Sequence, residues 1–379
     1  MSKDIRPRVL FVGTLPPPIH GSAVVSQQIK DSELINETFQ CDWVNLGTSR
    51  RMDEIGKQSF SKLFRFMGAW SRTLWLLIRH RYAFCYLAIT CHGVGFLKDA
   101  PFVLLCKLFH KKIVIHQHNK GMSKDVDRWP YRWLLPLCYN NTKVILLSWY
   151  LYPDIERIVP KENVLICPNG IKVNAGNSIR NNKNKANRII RLLFLSNLIK
   201  SKGVIVLLDA LKILAEKGYS FQCDFVGGET KEIDANRFAE EVDTRQLNKN
   251  VLYHGRKYED EKDSFFANAD IFVFPTFYDN ECFPLVLLEA MSYGLPCVST
   301  SEGGIADIVL DGESGLISER RNPESLADSI RKLIDDPDLR KKMGEDGYNK
   351  LQKYFTYEVF EKRIESILMN QVGVGKSVS

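Results

Sequence analysis

The chain has 379 residues, 45% hydrophobic and 26% charged, with a formal net charge of +7, the composition of an ordinary soluble protein with one or two substantial cores. Disorder, collagen-like repeats and coiled coil are excluded; the richest apolar region, 64–90, is broken by Arg65, Arg72, Arg79, His80 and Arg81, so no ordinary transmembrane helix is expected. Met1-Ser2-Lys3-Asp4 runs almost straight into an apolar strand, and no secretory leader is expected.

In chain order, short apolar runs predict strands at 8–13, 42–46, 83–89, 113–118, 143–148 and 164–167, then at 190–196, 221–226, 251–254, 270–275 and 295–299. Most are apolar on both faces, as strands of a parallel sheet covered by helices must be. Amphipathic helical segments fill the gaps, for example 204–217 and 324–333. The pattern is doubly wound α/β. A polar, asparagine-rich stretch at 174–187 has almost nothing to bury and reads as a linker or exposed loop. It separates two Rossmann-like domains, 1–175 and 188–355, followed by a carboxyl-terminal helix and tail, 356–379, that is apolar at Val359, Phe360, Ile364 and Leu368. Two such sheets are expected to face a central cleft at the carboxyl ends of their strands.

The nine cysteines are scattered without a C-x-x-C pair, and the seven histidines form no H-E-x-x-H. The thiols therefore read as small apolar residues of a reducing cytoplasm, and no metal site is expected. Charge is uneven: residues 1–180 hold 25 basic against 13 acidic side chains, and the remainder 27 against 32. No acid occurs between Glu54 and Asp99, where Lys57, Lys62, Arg65, Arg72, Arg79, Arg81 and Lys98 interleave with Phe60, Leu63, Phe64, Phe66, Met67, Trp70, Leu74 and Trp75. That pattern fits a helix lying on an anionic lipid surface, and equally a core-packing helix with a solvated basic face. Nucleic-acid binding is disfavoured, since no recognised motif accompanies the charge.

Three stretches carry chemistry. After the strand at 270–275, a loop containing Glu281, Cys282 and Phe283 meets a helix opening at Pro284. The first-turn amides of Leu285 and Val286 offer an anion seat, with Glu281 ahead of it and Glu289 further along the helix. A carboxylate can accept the neighbouring hydroxyls of a sugar, so the spacing suits a sugar-phosphate-sugar ligand; alternatively Glu281 is a surface acid and Glu289 a salt-bridged helix residue. Second, Ser196-Asn197 leads to Lys202-Gly203 at a strand-to-helix turn, where a lysine reaches a diphosphate or simply solvent. Third, the loop from Gly13 to Gly21-Ser22 follows the opening strand, and His116 and His118, on one face of the strand at 113–118, end another. Each histidine is a ligand candidate or a buried ring satisfied by backbone; His20, His92 and His254 are lesser candidates.

Glu281 and Glu289, separated by seven residues, resemble the E-x7-E signature of retaining glycosyltransferases of the GT-B fold, particularly family 4 of the group 1 type. The stretches 250–255 and 269–276 before it, and 290–300, Gly303-Gly304 with Asp307, and 311–316 after it, follow that family's order. Pro168-Asn169-Gly170 is similar to its domain-joining motif, and 144–148 to a strand end of its first domain. The resemblance implies two Rossmann-like domains and transfer of a hexose from a nucleotide-diphosphate sugar to an acceptor hydroxyl, with retained configuration; neither a catalytic metal nor another cofactor is expected. It assigns catalytic roles to His118, Lys202 and Glu281, and donor contacts to Gly21, Ser22, Asn197, Arg256, Phe283, Leu285, Val286 and Glu289. Ser196-Asn197 stands where the family shows Gly-Arg, so one phosphate cation is missing unless another basic residue replaces it. The basic, aromatic first half suits a lipid-linked glycan acceptor at the inner membrane face, as in surface polysaccharide synthesis. A nucleotide-sugar epimerase of the same architecture and a non-catalytic nucleotide-sugar binder are the alternatives; an oxidoreductase is disfavoured because no G-x-G-x-x-G follows a strand.

Overall fold

The computed structural model describes residues 5–17, 21–47, 60–173 and 189–372. The predicted linker at 174–187, Lys57 and His20 lie outside them. The chain divides into two compact units, one of residues 1–169 with 358–379 and one of residues 170–357.

The first unit holds a six-stranded sheet in the order β2-β1-β3-β4-β5-β6. Its strands are β1 (Arg8–Gly13), β2 (Gln40–Asn45), β3 (Phe84–Ala88), β4 (Ile113–His116), β5 (Lys143–Leu146) and β6 (Val164–Ile166). Every pairing is parallel. β1, β3 and β4 are buried along nearly their whole length, which requires helices on both faces and explains their unbroken apolar runs. The helix Tyr357–Val372 belongs to this unit, burying Phe360, Ile364 and Leu368. Ser32, which caps the helix Glu33–Thr38 by accepting from the Ile35 amide, donates its hydroxyl to Glu361. The terminal segment, which periodicity leaves without a destination, is thus a structural element of the first unit.

The second unit repeats the plan in the order β12-β11-β10-β7-β8-β9, again parallel throughout. The strands are β7 (Ile190–Leu195), β8 (Phe221–Val226), β9 (Val251–Tyr253), β10 (Ile271–Phe274), β11 (Cys297–Thr300) and β12 (Gly315–Ser318). β12 is absent from the sequence prediction: a four-residue edge strand opening on glycine, with Leu316 and Ile317 half-buried, carries too little alternation to stand out. The helix Val204–Glu216 buries Val204, Leu207, Leu208, Leu211 and Leu214 and packs against the helix Pro323–Asp335 through Leu326, Ile330 and Leu333.

The division between units falls at Asn169 and Gly170, a few residues before the sequence-based boundary. Just beyond it, Ile171 donates its amide to Phe355 O at 3.0 Å and accepts from the Tyr357 amide at 2.8 Å. All nine cysteines are unbridged and eight are buried. Among the described residues no helix is long and apolar enough to cross a membrane.

What matters for function is the strand order. In the second sheet the sequence direction reverses between β7 and β10, and in the first between β1 and β3. At such a reversal the loops leaving two adjacent strands diverge to opposite faces, opening a crevice at the carboxyl edge.

Candidate functional site

In the second unit, the loops leaving β7 and β10 meet at this reversal. After β7 the chain forms a 3-10 turn, Lys200–Lys202, and enters the helix Val204–Glu216 through Gly203. Gly203 has φ +89°, and a Cβ there would lie 2.3 Å from Pro275 O, so glycine alone allows the two loops to touch. The contact is sealed by the Phe277 amide, which donates to Ser201 O at 2.8 Å.

That approach brings Lys202 Nζ to 2.5 Å from Glu281 Oε2. The ammonium also lies 4.6 Å from the centre of the Tyr278 ring. Glu281 is only 8% exposed. Its own main chain is packed against Gly303, where a Cβ would sit 2.2 Å from Glu281 O, and φ is +55°. The Gly304 amide donates to Cys282 O at 2.7 Å. Two glycines, one on each side, thus fix a cation and a carboxylate in one corner of the rim.

Pro284 caps the helix Leu285–Ser292 without lying in it, and offers no side-chain acceptor to the first turn. The amides of Leu285 and Val286 have no acceptor within their own helix. Phe283 is buried edge-on against Phe355 with ring centres 5.6 Å apart, so its side chain serves packing. Glu289 is bound through Oε1 to Lys262 Nζ at 2.8 Å, and its side chain is 29% exposed. Both acids of the predicted pair therefore carry a lysine, and neither is a solitary surface group.

Asn197 is occupied as well: its Oδ1 accepts from the Gly228 amide at 3.1 Å. Arg256 lies across the same glycine, with Nη2 only 2.3 Å from where a Gly228 Cβ would stand. The side chain Asn197 and the guanidinium of Arg256 therefore flank one backbone position. His254, a lesser candidate, is bound to Asp224 at 2.8 Å and lies tilted against the Phe265 ring, with centres 4.6 Å apart.

In the first unit, His116 and His118 do share a face, with ring centres 4.0 Å apart. His116 is fully buried and its Nδ1 lies 2.6 Å from the Tyr86 hydroxyl. Burial holds His116 well below the usual histidine range, helped by the His118 ring, and pushes the Tyr86 phenol up. Both groups are therefore neutral, and one hydrogen bond joins the phenol to the imidazole. His118 is half-buried at the start of the following loop. That loop is pinned by Asp154, whose carboxylate accepts from the amides of Gly121, Met122 and Ser123. Gly21 is exposed at the start of the helix Gly21–Asp31, with open space where a Cβ would point, and Ser22 is half-buried beside it. His92 caps no amide with its side chain and rests against Gly121.

Sequence reasoning missed Lys262, Tyr86 and the pair Glu302–Arg320, whose carboxylate is 2% exposed and 2.7 Å from the guanidinium. Only Glu302 had a signal, its position directly before Gly303-Gly304.

Residues 177–350 match the family described as glycosyl transferases group 1. The capsular polysaccharide biosynthesis glycosyltransferase CapM of Staphylococcus aureus is 29% identical over 46% of this chain and 44% of its own length. The lipopolysaccharide 1,2-N-acetylglucosaminetransferase of Salmonella typhimurium is 25% identical over 68% of this chain and 67% of its own. The chain spans about half the length of several curated relatives it matches. Among solved structures, Anabaena Alr3699/HepE in complex with UDP superposes with a TM-score of 0.74 over 96% of this chain and 100% of that one, at 16% identity. The fold is GT-B.

Gly203→Ala tests how this rim is built. The forced shift of the Lys202 turn is expected to cost about 1–3 kcal/mol of stability, read by urea denaturation. Unchanged stability would show that the approach to Pro275 is dispensable.

Proposed function

Because residues 177–350 match the family described as glycosyl transferases group 1, we propose that the chain transfers a hexose from a nucleotide-diphosphate sugar to an acceptor hydroxyl, retaining the anomeric configuration. The observation that carries this reading is the 2.5 Å pair of Lys202 and Glu281 at the strand-order reversal, ahead of the uncapped first turn of the helix Leu285–Ser292.

Without donor, the carboxylate neutralises the ammonium and holds it in place. A diphosphate brings more negative charge to Lys202 than one carboxylate does, and displaces it. Glu281 is then released to accept hydroxyls of the transferred sugar. As the glycosidic bond to the nucleotide breaks, charge grows on the departing diphosphate. Lys202 and the amides of Leu285 and Val286 stabilise it there, since they are already oriented and need not reorganise. The departing phosphate oxygen takes the proton of the acceptor hydroxyl, whose oxygen bonds to the anomeric carbon on the same face. Glu289, with Oε2 left over from its bond to Lys262, accepts the ribose hydroxyls. His118 hydrogen-bonds the sugar, while Gly21 and Ser22 lie along the donor phosphate.

Arg256 fills the place of the missing cation. Asn197 cannot neutralise a phosphate, yet it anchors the glycine that Arg256 covers, so a guanidinium returns positive charge to that position. No metal is required in this scheme, because side-chain and helix charges carry the diphosphate.

For the acceptor, the relatives named for capsular polysaccharide biosynthesis and lipopolysaccharide N-acetylglucosamine transfer support a glycan, taken here as lipid-linked and extended for a surface polysaccharide. Such an acceptor places the enzyme in the cytoplasm, at the inner face of the membrane.

With the cognate donor, Lys202→Ala is expected to lower kcat/KM on the order of 100-fold. Arg256→Ala should raise the donor Kd about tenfold, with Arg256→Lys recovering much of it. NMR of the product should show the donor's anomeric configuration, and turnover should persist in EDTA. An inverted product, or full activity in Lys202→Ala, would remove the mechanism.

A further inference from the structure

The first unit carries an apolar surface that the transferase chemistry does not use. The helix Phe60–Arg79 buries only Thr73, Leu76 and Leu77. On the opposite side Phe60, Phe64, Met67, Trp75 and Ile78 follow one another at spacings of three, four or eight residues, which puts them on a single stripe. All five are exposed, Phe64 at 76% and Ile78 at 69%. Arg65, Arg72 and Arg79 recur every seven residues along one flank of that stripe. The helix contains no acid, and none occurs from 55 to 98.

The surface continues onto the neighbouring helices. Phe66 meets Phe102 of the helix Gly93–Leu108 edge-on at 5.5 Å, and that helix packs against the helix Tyr131–Tyr139. There Trp133 and Leu137, one turn apart, are again exposed, with the Arg132 guanidinium 4.9 Å from the Trp133 ring centre.

A surface of this kind leaves large side chains in water unless something covers them. Two features decide the occupant. The exposed stripe runs the length of one uninterrupted helix, about 28 Å at 1.5 Å per residue, so it suits an extended surface more than a pocketed partner. One flank of the stripe is cationic and no acid faces it, so an anionic plane complements it. We infer that this helical layer is a lipid-docking face: the helix Phe60–Arg79 lies in the plane of an anionic bilayer, with its aromatic stripe among the acyl chains and its arginines at the phosphate level. The inference deepens the reading of a lipid-linked acceptor, yet it fails separately from it.

Flotation of the full chain with vesicles separates the outcomes. The probes are phosphatidylcholine vesicles and phosphatidylcholine vesicles containing phosphatidylglycerol. The chain is expected to float with the anionic vesicles, with its tryptophan fluorescence shifted to the blue, less so in Trp75→Phe, and binding weakened by salt. Phe64→Ser with Trp75→Ser, and separately Arg72→Glu with Arg79→Glu, should each lose on the order of tenfold in vesicle affinity. Because these side chains are exposed, both variants should keep the wild-type melting temperature and transfer to a soluble acceptor. Lys202→Ala should float like wild type, which keeps loss of the transferase reading apart from loss of this one. Failure to bind either vesicle, binding unchanged in both double variants, or a concentration-dependent dimer that the double variants abolish would overturn it.

Discussion

The site rests on a single ion pair, Lys202 with Glu281, that two glycines make geometrically possible. Gly203 lets the turn after β7 press against Pro275, and Gly303 lets the following loop press against the main chain of Glu281. Each contact replaces a side chain by direct backbone approach, and together they remove the freedom that a lysine and a loop glutamate would have in solvent. A half-exposed pair on mobile loops contributes little. A pair that is mostly shielded from water and set between fixed loops is preorganised, and preorganisation is what a charged transition state exploits.

The strand order explains why the pair lies where it does. β7 and β10 are neighbours in the sheet although β8, β9 and the helices around them lie between the two in the chain. Only there can a lysine from one loop and a glutamate from the other converge without a strand between them. The same reversal between β1 and β3 places the loop of Gly21 and Ser22 at the corresponding edge of the first sheet. One architectural rule, applied twice, thus sets the position of the candidate groups in each unit.

Most of this fold was legible because parallel strands must be apolar on both faces: eleven of the strands announce themselves as short apolar runs. β12 did not, since an edge strand of four residues beginning with Gly315 has neither the length nor the pattern. The helix Tyr357–Val372 was visible as a helix, but periodicity says which face is buried and not what it is buried against. The site divides similarly. Glu281, Glu289 and Lys202 stand out by spacing and by their place after strands. Their pairing does not: that Lys202 meets Glu281, and that Lys262 holds Glu289, depends on loop paths through Gly203 and Gly303 and on the neighbouring helix Glu259–Asn268. Likewise the departure at Ser196-Asn197 looks like a lost charge in the sequence, whereas the fold lays Arg256 across Gly228 beside it.

The central claim is that Lys202 exchanges its carboxylate for the donor's diphosphate. A crystal structure with a bound nucleoside diphosphate tests it most directly. The account predicts a phosphate oxygen within hydrogen-bonding distance of Lys202 Nζ and of the Leu285 and Val286 amides, with the bond to Glu281 broken. Phosphates seated elsewhere, with that ion pair intact, would contradict it.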